Sequence, residues 1–297
     1  MKAIVTGGAG FIGSNLVDKL LSLGHEVIVI DNESSDAHDQ FYWNEKANNY
    51  ILDICDYDNI RPLFKGVDLV FHIAAEARIQ PTLLNPILAA KNNFLGTCTI
   101  LQCAKEAGVK RVIYSSTSSA YGLANDTPNV ETMQKDCLNP YSVTKVGGEE
   151  LCKMYTDLFG LETVFFRYFN VYGERQPIKG QYAPVIGIFM RQRDNGEAMT
   201  VVGDGEQRRD FTHVSDIVEA NVLAGDLSNK EIVGELFNIG TGENFSILEI
   251  KDFIGGEYVH IPPRKGEARI TLASNKKAKS LLKWQSKVKL TEWIKDK

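Results

Sequence analysis

Short apolar runs alternate with longer stretches of helical period along the first 170 or so positions of the chain. Ala3 to Thr6, Glu26 to Ile30, Tyr50 to Leu52, Leu69 to Ile73, Arg111 to Ser115 and Glu162 to Arg167 read as strands. Between the first two, Leu16, Val17, Leu20 and Leu21 recur at helical spacing, and Gly24 supplies a stop. Such alternation predicts βαβ units on a doubly wound parallel α/β sheet. The segments Asn85 to Ala107 and Tyr141 to Phe159 carry apolar residues on more than one face. A helix needs such a pattern when it packs both on the sheet and on a second copy, so a homodimer is expected. Beyond about residue 172 the pattern loosens into turn-rich pieces such as Asn195-Gly196 and Gly203-Asp204-Gly205. The division this predicts is a nucleotide-binding domain over 1–172, with segments of about 208–240 returning to it, and a smaller α/β domain, mainly 173–297, capping the sheet. Asn32 to Asn49 is polar and is read as loop with a short helix.

The first strand runs directly into Thr6-Gly7-Gly8-Ala9-Gly10-Phe11-Ile12-Gly13, which opens the first helix. Glycines at 8, 10 and 13 fit one dinucleotide spacing, and 7, 10 and 13 fit a wider one. Either permits a tight turn, close approach of backbone N–H groups to a pyrophosphate, and close packing of helix on sheet. Asp31 ends the second strand, where a carboxylate meets the adenosine ribose hydroxyls. No Arg or Lys lies between Asp31 and Lys46, so a 2′-phosphate would face a carboxylate without a nearby cation, and NAD is expected over NADP. Asp53-Ile54 is a candidate adenine contact.

Asn139-Pro140 is a strong helix start, and it places Tyr141 and Lys145 four apart on one face. A tyrosine serves as a base near neutrality only if its pKa falls well below about 10, which an adjacent ammonium favours. The same spacing in Tyr42 and Lys46 shows that it proves little alone. The hydroxyl cluster Ser115-Ser116-Thr117-Ser118-Ser119, at the C-terminal end of a predicted strand, adds the second element of a site.

Composition narrows the partners. A formal charge of −5 without a basic run argues against nucleic acid and against an anionic membrane surface, and no apolar run has membrane-spanning length. The N-terminus enters the glycine cluster at once, which predicts no signal peptide and a cytoplasmic location. Five scattered cysteines and five dispersed histidines predict neither a disulfide framework nor a metal site.

Taken together, the glycine loop, Asp31, the Thr117 cluster and Tyr141-x-x-x-Lys145 resemble the extended short-chain dehydrogenase/reductase family of sugar-nucleotide epimerases and dehydratases. The resemblance extends through Phe71-His72-Ile73-Ala74-Ala75, Arg167-Tyr168-Phe169-Asn170-Val171-Tyr172-Gly173, Arg209-Asp210-Phe211-Thr212-His213 and Arg264-Lys265-Gly266-Glu267. It implies a Rossmann-type domain, a C-terminal nucleotide-sugar domain, tightly held NAD and a UDP-sugar substrate. It makes Tyr141 the base, Lys145 its electrostatic partner and Thr117 the assisting hydroxyl. The cofactor contacts it implies are Gly7, Gly10, Phe11, Ile12, Gly13, Asp31, Asn32, Asp53, Ile54, Ala74, Ala75, Asn93 and Tyr168, together with Tyr141 and Lys145. The substrate contacts are Ser118, Asn170, Ala183, Val185, Ile186, Val201, Arg209, Arg264, Glu267 and Thr271, the arginines as forks for phosphate oxygens.

Family dehydratases and decarboxylases commonly carry a Glu in the hydroxyl cluster, where this chain has Ser118 and Ser119, so C4 epimerisation is the reaction implied. Thr271, seven residues beyond Arg264, stands where members restricted to glucose and galactose tend to carry Tyr, which implies room for an N-acetyl group. The expected pair is therefore UDP-N-acetylglucosamine and UDP-N-acetylgalactosamine, with UDP-glucose and UDP-galactose beside it. The alternatives are a UDP-glucuronate 4-epimerase, a dehydratase or decarboxylase, and a non-catalytic NAD-sensing scaffold. Arg78-Ile79-Gln80-Pro81-Thr82 departs from the small residues or serines of many relatives.

Overall fold

The computed structural model describes residues 1–38, 40–178 and 183–297. Seven parallel strands form the central sheet: β1 (Lys2–Thr6), β2 (Glu26–Asp31), β3 (Asn48–Ile51), β4 (Leu69–His72), β5 (Arg111–Thr117), β6 (Glu162–Tyr168) and β11 (Leu236–Ile239). Their spatial order is β11-β6-β5-β4-β1-β2-β3, so the order reverses beside β1. That reversal opens the crevice at the C-terminal strand ends in which such sheets bind ligands. Side chains alternate between the two faces. Ala3 and Val5 join one core cluster with Leu16, Ile217 and Phe237, while Ile4 joins the other with Ile100, Tyr114 and Cys152. Strands buried on both faces explain why the runs read as continuously apolar.

Helix α1 (Phe11–Ser22) ends as expected, with Gly24 just beyond it at φ +80°. The helices α2 (Tyr57–Ile60), α3 (Ile79–Leu84) and α4 (Pro86–Ala89) are short. α4 continues without a break through a π-helical stretch, Ala90–Leu95, into α5 (Gly96–Ala107). α6 (Pro140–Phe159) lies against β5 and β6. The Asn32 to Asn49 segment holds no helix among its described residues; Asp39 lies outside them. Instead it crosses the glycine loop, with Tyr42 N–H donating to the Ala9 carbonyl at 2.8 Å, and that long-range tie replaces a local helix.

The rest of the chain divides its loyalties. α8 (Val214–Ala224) packs on α1, and β11 extends the sheet beside β6. By contrast β7 (Val171–Tyr172) pairs with β10 (Thr212–His213), and β9 (Arg208–Asp210) pairs with β12 (Asn244–Ser246), outside the main sheet. β8 (Met199–Val202) and β13 (Tyr258–Ile261) pair in parallel. With α7 (Val185–Asp194), α9 (Ile247–Ile254) and α10 (Leu290–Lys295) they enclose a separate core around Phe189, Val201 and Ile250. Late in the chain, Ala278, Leu282 and Trp284 pack into the cluster of β1 and α8, an element that the pattern did not reveal.

Candidate active site

The glycine loop is shaped as a cradle that admits no side chain at Gly7 or Gly13. Gly7 adopts φ +67°, and a Cβ there would stand 2.8 Å from the Ala74 nitrogen; one on Gly13 would stand 2.0 Å from the Gly7 oxygen. α1 begins at Phe11 with no side-chain cap and no acid in its first turn. Its first N–H groups and positive dipole end are therefore left for an anion. Asp31 closes β2, with one carboxylate oxygen accepting from Ala9 N–H (3.1 Å) and the other from Glu33 N–H (2.9 Å). Burial raises its pKa, and the backbone donors oppose the rise. Asn32 folds back to accept from Ser34 N–H. Asp53 accepts from Cys55 N–H (2.8 Å) and pairs with Lys91 (3.2 Å), while Ile54 is buried. Ala74 donates to the Thr6 carbonyl, and Ala75 follows it at the end of β4. A bare helix start, a tight glycine-rich cradle and an acid at the second strand end fit a dinucleotide.

Asn139 and Ser142 form a reciprocal capping box at the start of α6, which fixes the first turn that carries Tyr141. The phenol faces Thr117, the last residue of β5. Burial raises the Tyr141 pKa, and the neighbouring Thr117 hydroxyl opposes the rise. One turn on, Lys145 is buried, and loss of water pulls its pKa down to about 7. Its ammonium lies 4.3 Å from the Tyr114 ring centroid, and the Tyr114 hydroxyl donates to the Lys145 carbonyl at 3.0 Å. A Cβ on Gly148 would stand 2.1 Å from that hydroxyl, so glycine is required for the ring to lie there. Below them, Glu149 accepts from Ser116 (2.5 Å) and from both forks of buried Arg167 (2.9 and 2.8 Å). His72 bridges Thr6 (2.7 Å) and Thr97 (2.9 Å), and burial holds it neutral with a pKa of about 3.

A cavity of about 210 Å³ adjoins this wall. Six expected substrate residues meet there: Ser118, Asn170, Arg209, Arg264, Glu267 and Thr271. Glu267 lies 3.5 Å from Arg209 and 3.9 Å from Arg264. Thr271 accepts from the Asn170 amide at 3.2 Å. The structure adds Arg78, Gln80, Ser119 and Asn139 to the lining. All four leave a trace in sequence, Arg78 and Gln80 as the unusual loop 78–82, Ser119 in the hydroxyl cluster and Asn139 as a helix cap, but position alone marks none of them as cavity lining.

The other expected contacts lie away from this cavity. Ile186 and Val201 are 1% and 0% exposed and are committed, with Ala183, to the C-terminal core, so their side chains do not face the cavity. Val185, at the first turn of α7, is half-buried against the same core. Tyr168 turns into the main core, where its hydroxyl meets Ser115 and Asn221. Asn93 is fully buried, with its amide engaged by Glu76 N–H (2.7 Å), Glu76 C=O (3.2 Å) and Thr144 (3.0 Å). It clips the segment after β4 to α6. In each case apolar burial or a backbone group in need of a partner sets the side chain's direction.

A dinucleotide cradle joined to a Thr, Tyr and Lys set on one sheet defines the short-chain dehydrogenase/reductase class. Comparison narrows this further. The chain belongs to the NAD dependent epimerase/dehydratase family, whose model matches residues 3–240, and its cofactor is NAD. It is 35% identical to the UDP-glucose 4-epimerase of Mycolicibacterium smegmatis, over 99% of this chain and 96% of that one. Among solved structures, the UDP-glucose 4-epimerase of Thermotoga maritima with UDP-glucose superposes with a TM-score of 0.92 at 38% identity, covering 99% of this chain and 96% of that one. The UDP-glucuronic acid 4-epimerase of Bacillus cereus, in complex with UDP-glucuronic acid and NAD, gives 0.90 at 30% identity, covering 99% and 97%. No helix among the described residues is long and apolar enough to cross a membrane, and no cluster of metal-ligating groups occurs among them.

Proposed function

We propose that this chain epimerises a UDP-linked hexose at C4 through a transient 4-keto sugar, with room for an N-acetyl group at C2. The observation that carries the reading is the placement of Tyr141 beside Thr117, one turn from buried Lys145 and next to a cavity whose cluster positions 118 and 119 are both serine. Tyr141 takes the proton of the C4 hydroxyl and later returns it, Thr117 holds that hydroxyl in line, and Lys145 stabilises the phenolate. NAD held in the glycine cradle would supply the hydride acceptor and donor that oxidation and re-reduction at C4 require. Gly7, Gly10, Phe11, Ile12 and Gly13 would present backbone to its pyrophosphate, and Asp31 would hold its ribose. Arg209 and Arg264 hold the diphosphate of the substrate. Ser118 and Ser119 supply no carboxylate for eliminating water, which favours epimerisation over dehydration.

The apolar residues on the outer face of 84–95 and of α6 support a homodimer: Ile87 is 81% exposed, Leu95 51% and Leu158 70%. A patch of that kind on two adjacent helices is the usual mark of an interface.

The test is proton NMR of the protein with UDP-N-acetylglucosamine, and separately UDP-glucose, in deuterated water. The 4-epimer should form with its C4 hydrogen retained. Tyr141→Phe should lower kcat by about 10²- to 10⁴-fold while leaving UDP affinity unchanged. A 4-keto-6-deoxy product, or exchange of the C4 hydrogen with solvent, would refute the reading.

A further inference from the structure

Three guanidinium groups face the cavity, and one of them differs from the others. Arg209 and Arg264 share Glu267 on the C-terminal wall. Arg78 is half-buried, lines the same cavity and has neither an acidic partner nor a side-chain hydrogen bond among the described residues. A cation so placed normally meets an anion, because removing its water without a partner is unfavourable. Burial lowers its pKa to about 10, and no carboxylate among the described residues opposes the fall.

Its position indicates which anion. The backbone two residues before Arg78 is clipped to the catalytic helix: Asn93 bonds both polar groups of Glu76 and also Thr144, the neighbour of Lys145. Arg78 therefore belongs to the wall that carries Tyr141, together with Ser118, Ser119 and Asn139. In a nucleotide hexose the diphosphate is attached at C1, across the ring from C4, whereas C6 is only two bonds from C4. When C4 is at Tyr141, a charge on C6 lies on the wall of Arg78, and the diphosphate is directed toward Arg209 and Arg264.

We infer that Arg78 is a specificity residue for a sugar carrying a carboxylate at C6, so that the substrate class is a UDP-hexuronate, with or without a 2-N-acetyl group. This rests on the epimerase reading for the orientation of C4. A guanidinium fork can pair both carboxylate oxygens, and the hydroxyls of Ser118 and Ser119 line the same cavity.

The experiment compares UDP-glucuronate and UDP-N-acetylglucosaminuronate with their neutral counterparts, UDP-glucose and UDP-N-acetylglucosamine. It uses the NAD-loaded wild type, Arg78→Gln and Arg78→Lys. Both kcat/KM for C4 epimerisation and calorimetric Kd are measured, with UDP alone as a control. The wild type should favour each acidic sugar over its neutral counterpart by about 10- to 100-fold. Arg78→Gln should abolish that preference, Arg78→Lys should restore part of it, and the Kd for UDP should not move. Equal losses on acidic sugars, neutral sugars and UDP would make Arg78 a phosphate ligand and overturn the inference, as would an unchanged preference in Arg78→Gln. Should no sugar be epimerised while the acidic preference in Kd vanishes in Arg78→Gln, the reaction assignment fails and the assignment of Arg78 stands.

Discussion

Lys145 sits where its ammonium is disfavoured: its pKa is about 7, against 10.5 for the free side chain. Between these values the unfolded chain binds a proton that the folded chain does not, so this group's contribution to stability improves as pH rises from 7 to 10.5. Its drag on the fold is therefore largest at and below neutrality. Lys145→Met, an apolar side chain of similar length, should abolish turnover yet raise the melting temperature at pH 7. Its advantage over wild type should shrink between pH 7 and pH 9. Thermal unfolding at the two pH values checks this, and a variant less stable than wild type at pH 7 would contradict it. Thr271 bears on specificity. Its hydroxyl is bonded to Asn170 and it lines the cavity at 7% exposure, so a phenol ring has no space there without closing part of the pocket. Thr271→Tyr should depress kcat/KM for N-acetylated sugars by about 10-fold or more relative to their plain counterparts, by occupying the volume of the acetamido group. Equal loss on both classes would show that the side chain does not gate C2.

At the scale of elements, α6 was legible nearly to the residue, because its signals are local. Asn139 caps it, Pro140 takes the first position where no N–H is needed, and Gly160 closes it in the left-handed region. The long stretch over 86–107 was legible as one helix, but not its π turn at Ala90–Leu95. That turn lies where Asn93 must reach both Glu76 and Thr144, a demand set by packing and invisible in the spacing of apolar residues. The exposed apolar faces of this helix and α6 lead to a test of assembly. Light scattering at micromolar concentration should give twice the 33.1 kDa chain mass. The double variant Leu95→Glu, Leu158→Glu should give a single chain mass with its fold retained. A monomeric wild type would remove the dimer.

For the molecule as a whole, the buried charges show how the parts are joined. Arg111, wholly buried on β5, donates to the carbonyls of Ala224 and Asp226 (2.8 Å each) and Asn229 (3.0 Å), and pairs with Glu162. Asp210, equally buried, accepts from the backbone of Thr241, Gly242 and Ala273. These ties span tens to more than a hundred positions, and nothing in either flanking sequence announces them. The chain by itself determined the parallel sheet, the glycine cradle, Asp31 and the Tyr141 and Lys145 pair, because strand periodicity, helix caps and the glycine spacing act over a few residues. Only tertiary packing decided that Tyr168, Ile186 and Val201 belong to cores, that Asn93 is a clip, that Trp284 returns to the first half, and that Arg78 faces the cavity without a partner among the described residues. The direction a side chain takes is set by which distant backbone groups and apolar surfaces need covering, and that balance exists only once the elements have met.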